Sequence, residues 1–184
     1  NTGINYQLQL DGVNDGLPMA GTGSALSFGM KTAGGVYTVI ATNAATGCVS
    51  NMSGAVTIIV NPLPNVDTVT GGGSYCPGGS GVHVGLTGSM TGINYQLMRG
   101  TTMVGAPLAG TGSGLDFGSQ TITGAYFVVA TNPVTGCTVN MAGSTAVSIS
   151  ALPTAYTVAT SASGYCFGGT GVTVTLSGSA TGVQ

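Results

Sequence analysis

Ile4, Tyr6, Leu8 and Leu10 alternate with polar neighbours over residues 3–10. A period of two puts all four on one face of a half-buried strand. The same alternation returns in short stretches along the chain. It turns Leu26 and Phe28 inward with Ser27 outward, gathers Tyr37, Val39 and Ala41 on one face, and predicts a closing strand over residues 54–60. Beyond that come a short strand at 66–70 and a glycine-rich loop at 71–81. Val82-His83-Val84-Gly85-Leu86 is the cleanest alternation, echoed by Val172-Thr173-Val174-Thr175-Leu176. No stretch has a helical period. Asn61-Pro62-Leu63-Pro64 and residues 151–153 read as linkers, because proline removes a ladder donor and stiffens a connection.

The strands themselves repeat. Gly35-Val36-Tyr37-Thr38-Val39-Ile40-Ala41-Thr42-Asn43 leads to Gly47-Cys48, and Gly124-Ala125-Tyr126-Phe127-Val128-Val129-Ala130-Thr131-Asn132 leads to Gly136-Cys137, an offset of 89 residues. Thr2-Gly3-Ile4-Asn5-Tyr6-Gln7-Leu8 returns as Thr91-Gly92-Ile93-Asn94-Tyr95-Gln96-Leu97 at the same offset. After one inserted residue the offset becomes 90, which carries Tyr75-Cys76 onto Tyr165-Cys166. Such a period marks an array of small domains rather than a solenoid.

Each module then holds about seven short strands with frequent turns, the pattern of an all-β, immunoglobulin-like β-sandwich. In that lettering residues 65–70 are strand A, 82–87 B, 92–99 C, 114–118 E, 123–131 F and 144–150 G. The 184 residues divide into 1–62, a module lacking its first two strands; 63–152, a complete module; and 153–184, the first two strands of a third. Tyr126 stands where such sandwiches place a corner tyrosine, but Val128 replaces the core Cys two residues on and there is no Trp. The core is expected to hold Val82, Val84, Leu86, Tyr95, Leu97, Leu115, Phe117, Tyr126, Val128, Val147 and Ile149. Residues 1–60 and 154–184 together make one sandwich. Either the polypeptide continues into further repeats, or strands A and B of one copy complete the next. In both cases Val183-Gln184 of one copy should lie against Gly3-Ile4-Asn5 of its neighbour.

Composition narrows the function classes. Charged residues are 3% of the chain, with no Glu and only Lys31, Arg99, Asp11, Asp15, Asp67 and Asp116 carrying charge. Two cationic side chains cannot displace counterions from a phosphate backbone or hold an anionic bilayer, which argues against nucleic acid and anionic membrane surfaces. Apolar residues at 42% and seven Tyr argue against disorder. The longest aliphatic run, Ile58-Ile59-Val60, is far too short to span a bilayer as a helix. The 34 Gly and the many Ser and Thr suit an extracellular β-protein. Any export signal is expected outside these residues.

No catalytic constellation is apparent, and no cofactor is implied. The one imidazole, His83, reads as an outward strand residue, since the next module has Thr173 there. Asp11 and Asp15 do not make a complete calcium loop: Val13 offers no side-chain oxygen, and Thr22 stands where the bidentate Glu would be. Gly21-Thr22-Gly23-Ser24 lacks the following helix that a phosphate loop requires. Cys48, Cys76, Cys137 and Cys166 contain no Cys-x-x-Cys pair, so disulfides are the default in an oxidising space. In an immunoglobulin-like sandwich the loops holding Cys76 and Cys137 lie at opposite ends. The expected bonds therefore join neighbouring modules.

The order Tyr75-Cys76-Pro77-Gly78-Gly79, Val82-His83-Val84, Asn94-Tyr95-Gln96-Leu97, Tyr126 to Asn132, Gly136-Cys137 and Leu152-Pro153 resembles the tandem Ig-like and PKD-like repeats of giant secreted surface proteins of Bacteroidota, including gliding-motility adhesins. The resemblance covers the whole chain. It implies a non-catalytic, extracellular cell-surface protein exported by the type IX route, whose partners are neighbouring copies or repeats along a fibre axis and the surfaces or glycans it meets. Asp67-Thr68-Val69 resembles the O-glycosylation sequon of Bacteroidota, which makes Thr68 a candidate acceptor; the next module reads Tyr156-Thr157. The expected function is a rigid, disulfide-stabilised segment of an adhesin or filament. The alternative is an array of carbohydrate-binding modules, against which the lack of Trp and the inward positions of most Tyr weigh.

Overall fold

A computed structural model describes residues 3–182, and among these the chain forms strands and turns with no helix. The protein is all-β. It divides into two compact units, Asn1–Pro62 and Leu63–Gln184, parted within the proline-rich stretch.

The first unit is one sheet of β1 (Ile4–Leu10), β2 (Val13–Asn14), β3 (Met19–Ala20), β4 (Gly35–Asn43), β5 (Val49–Asn51) and β6 (Val56–Ile58), with β1 and β4 paired antiparallel along all of β1. Asp11 and Gly12 turn β1 into β2. Both have positive φ, 50° and 82°, which is the backbone that a two-residue hairpin with right-twisted strands demands and that Asp-Gly supplies cheaply. Leu8, Tyr37 and Ala41 are buried on one face of this sheet. The strand expected at Leu26 and Phe28 does not form, although its repeat partner in the second unit does.

The second unit contains β7 (Val69–Gly71), β8 (Gly73–Tyr75), β9 (Val82–Leu86), β10 (Asn94–Arg99), β11 (Thr102–Ala109), β12 (Leu115–Gln120), β13 (Gly124–Thr131), β14 (Thr138–Asn140) and β15 (Thr145–Ile149), followed by a hairpin of β16 (Val158–Thr160) and β17 (Val174–Leu176). One sheet runs β11-β10-β13-β15-β8 with β14 added on β13; the other runs β12-β9-β7. Val84 and Leu86 of the small sheet share a core with Ile93, Tyr95, Leu97, Tyr126, Val128, Ala130, Met141 and Val147. Each large apolar side chain buried there contributes roughly 1.5–3 kcal/mol. The two facing sheets are consistent with an immunoglobulin-like sandwich. So is Tyr126, whose hydroxyl donates to the Ile122 carbonyl oxygen at 2.7 Å, bracing the corner ahead of β13. Tyr37 does the same to Ala33 at 3.1 Å.

Two features depart from the expected strand map. Ile149 has the parity of buried Val147, but it is the last residue of β15 and is 48% exposed, so it does not belong to the core. Ile93, Ala130 and Met141 do. The opening segment is also split. Its first half, β7, pairs with β9, then Gly71, Gly72 and Gly73, all at positive φ, carry the chain across so that β8 pairs parallel to β15. Val183 and Gln184, expected against a neighbour's Gly3, lie outside the described residues.

Candidate functional site

The four cysteines occupy two kinds of turn, each built twice. Asn43 and Asn132 open the first kind. The Asn43 side-chain oxygen accepts from the Ala45 and Thr46 N–H groups at 2.9 and 3.2 Å, and Asn43 N–H donates to the Cys48 carbonyl at 2.9 Å. Asn132 repeats every bond, to Val134, Thr135 and Cys137. Thr46 and Thr135 hydroxyls then accept from the Cys48 and Cys137 N–H groups. Asn-x-x-Thr-Gly-Cys is therefore a self-bracing loop, in which the Asn supplies the side-chain acceptor that a tight turn needs. In the second kind the Gly79 N–H donates to the Cys76 carbonyl at 2.9 Å, and the Gly169 N–H to Cys166 at 2.9 Å. Cys48, Cys76 and Cys166 are exposed and Cys137 is half-buried.

Sheet register places the two turns of the complete module. Tyr75, just before Cys76, lies opposite Ile149 of β15, and Val147 lies opposite Gly124 at the start of β13. Thr138, just after Cys137, lies opposite Thr131 at the other end of β13. The intervening strand length puts the two cysteines roughly 30 Å apart. A disulfide requires Cα atoms within about 7 Å. Among the described residues no disulfide joins two of the cysteines.

Thr68 sits just ahead of β7 with its side chain exposed; its backbone N–H donates to the Thr87 hydroxyl at 3.0 Å and its carbonyl accepts from the Thr87 N–H at 3.0 Å. On the other side Ala142 brackets it, donating to the Asp67 carbonyl at 2.8 Å and accepting from the Val69 N–H at 2.9 Å, so the threonine hydroxyl stands on backbone braced from both sides. The two carboxylates weighed as calcium ligands are otherwise engaged: Asp11 accepts from the Val36 N–H at 2.8 Å, and Asp15 pairs with Lys31 at 2.7 Å. Among the described residues no group of three His, Cys, Asp or Glu side chains converges as a metal site.

His83 is an exposed, outward strand residue, but with a partner that the alternation does not reveal. Its Nδ1 lies 2.7 Å from Asp116 Oδ2 across the β9–β12 pairing. The signal is present in the sequence: the complete module has His83 and Asp116 where its neighbours have Thr173 and Ser27. The Gly118 N–H, donating to Asp116 Oδ1 at 2.8 Å, and then His83 hold the Asp116 carboxyl below its ordinary value near 3.8. A carboxylate with a lowered folded pKa adds stability that is complete above the unfolded value and is lost as pH falls through the folded one. The melting temperature of the second unit is expected to drop slightly more steeply below about pH 4 than that of Asp116→Asn. Parallel pH profiles for the two would show that the pair contributes nothing; the effect stays small because both groups face water.

Fold and turns together define an all-β protein of repeated modules with cysteine-bearing turns. The chain matches no protein-family model and no curated protein. No helix among the described residues is long and apolar enough to cross a membrane.

Proposed function

We propose that this chain is a structural repeat segment of a long extracellular cell-surface adhesin or filament, a rigid spacer whose modules are stapled to their neighbours by disulfides. The observation that supports this reading is the placement of Cys76 and Cys137 in braced turns at opposite ends of one module. A cysteine that cannot reach its own module's second cysteine is positioned to bond the next module. In an array, the turn of the Cys76 and Cys166 kind meets the turn of the Cys48 and Cys137 kind on the following module. Such a staple limits bending and holds the junction under tension. The sparse charge fits a spacer that presents hydroxyls and backbone rather than a charged binding surface. Thr68 is the candidate site for a surface glycan.

Non-reducing peptide mapping of oxidised protein tests the staple. Links are expected between one cysteine of each kind, belonging to different modules. A Cys76-to-Cys137 link recovered from a single chain of 17.8 kDa overturns the reading. Electron micrographs of the secreted material should show fibres with a repeat of one module length, and dispersed globular particles would argue against the spacer role.

A further inference from the structure

The opening and closing segments of the complete module run side by side in the same direction. Asp67 meets Met141, Thr68 meets Ala142, Gly71 meets Thr145, and Gly73, Ser74 and Tyr75 lie opposite Val147, Ser148 and Ile149, all at one offset of 74 residues. The bonds follow that register. The Asp67 N–H donates to Met141 Sδ at 3.4 Å, the Ala142 N–H to the Asp67 carbonyl at 2.8 Å and the Val69 N–H to the Ala142 carbonyl at 2.9 Å. The Thr145 hydroxyl then donates to the Gly71 carbonyl at 2.7 Å, β8 and β15 form their parallel ladder, and the Ser150 N–H closes it on the Tyr75 carbonyl at 2.9 Å. Midway the two backbones nearly touch, since a Cβ at Gly72 would overlap the Thr145 hydroxyl and the Ala146 carbonyl. One seam therefore runs along residues 67–75, roughly 25–30 Å, even where β7 turns its ladder toward β9.

What the seam joins gives it a role. Leu63-Pro64 leads into its first residues and Leu152-Pro153 follows its last, so the polypeptide enters at one end of the paired segments and leaves at the other. Tension along the chain pulls two such parallel strands past each other, and all their bonds resist together. Antiparallel end strands would be pulled from the same end and would open one bond at a time. Residues 76–140, which hold β9 to β14 and most of the core, stay outside the load path for as long as the seam holds. The opening segment is anchored twice more: β7 pairs with β9, and the Tyr75 hydroxyl donates to the Thr121 carbonyl.

We infer that the complete module bears tension along the chain, and that the seam between residues 67–75 and 141–150 is the element that resists it. The core supplies the folding stability and the seam supplies the barrier to opening under load. Both junctions through which force passes, at residues 61–64 and 151–153, lie inside the sequence. The inference deepens the proposed spacer by assigning it a mechanical task; it rests on that reading for the source of the load and does not use the disulfides.

Constant-force unfolding of the 184-residue chain, held at its two ends under reducing conditions, tests it, because opening under load reads the unfolding rate. Opening of the complete module is recognised by the release of residues 63–152, up to roughly 300 Å of extended chain. Thr145→Val deletes the hydroxyl bond to Gly71 with little change of shape, and Ser150→Pro deletes the N–H bonded to Tyr75. Each is expected to raise the opening rate by about fivefold, the effect of one hydrogen bond on a barrier that it supports. Thr145→Val decides alone should Ser150→Pro not fold. Val128→Ala, in the core but outside the load path, should lower the midpoint in denaturant more than Thr145→Val does, yet raise the opening rate under load by less than about twofold. When the load is moved to Asn65→Cys and Ser144→Cys, both at the entry end of the seam, in a chain whose four native cysteines are replaced by Ser, the module should open at a lower force. An opening rate unmoved by Thr145→Val, a Val128→Ala rate raised as much as that of Thr145→Val, or equal opening forces in the two geometries would each overturn the inference. Any of these would leave the spacer reading standing, since that is decided by the disulfide map and the fibre repeat.

Discussion

Leu97→Ala is expected to lower the stability of the second unit by about 3–4 kcal/mol, read as an earlier midpoint in denaturant with little change in slope. Leu97 is 1% exposed and stands between Val104 on β11 and Val128 on β13, in the core shared with Val84 and Leu86. Removing three carbons there forfeits their transfer energy and leaves a cavity that fixed sheets cannot close. Val128→Ala, which deletes less, should cost about 1–3 kcal/mol in the same assay. His83→Thr should change stability by less than about 0.5 kcal/mol, because its side chain is 66% exposed and its bond to Asp116 is solvated. Equal shifts for Leu97→Ala and His83→Thr would show that the strand faces are misassigned.

Gly81→Ala should be nearly as damaging, at about 3 kcal/mol, although it adds a single methyl group. Gly81 has φ +83°, a left-handed backbone that costs an L-residue roughly 1–2 kcal/mol. Its added Cβ would also overlap the Gln120 carbonyl and press on the Thr121 side chain, an overpacking that typically costs about 1–3 kcal/mol. Gly171→Ala shares the backbone strain, at φ +82°, but meets no neighbour in the isolated chain. The pair therefore separates strain from crowding. A Gly81→Ala protein that melts with the wild type would refute the close approach of the glycine loop to the end of β12.

Strand faces are legible because a period-two pattern leaves one choice once a face is buried. Val84, Leu86, Tyr95, Leu97, Tyr126 and Val128 all face the core as their parity requires. Parity does not say where a strand ends, which is why it wrongly turns Ile149 inward: that residue obeys the alternation but occupies the last position of β15. Met141 shows the same limit from the other side: it lies one residue past β14, yet keeps the inward parity of Val139, and its N–H donates to the Val128 carbonyl at 2.8 Å. The cysteine turns are partly legible. Asn, Thr and Gly at fixed spacing before Cys48 and Cys137 announce a turn, but the distance from Cys137 to Cys76 depends on two strand registers in a sheet assembled from remote segments.

By itself the sequence determined the repeat, the all-β class, the inward face of most strands and the low charge that leaves packing and backbone hydrogen bonds to hold the protein together. These follow from spacing along the chain, and spacing is local. Only the tertiary structure decided which strands are neighbours. It moved the opening segment from β9 to β15 within three glycines, brought His83 to Asp116 and made a strand of residues 115–120 but not of residues 26–31. The physical reason is that a strand's hydrogen bonds are made to another segment, so the same Leu-x-Phe pattern is β12 where it pairs with β9 and irregular chain in the first unit, where none of the described strands pairs with it.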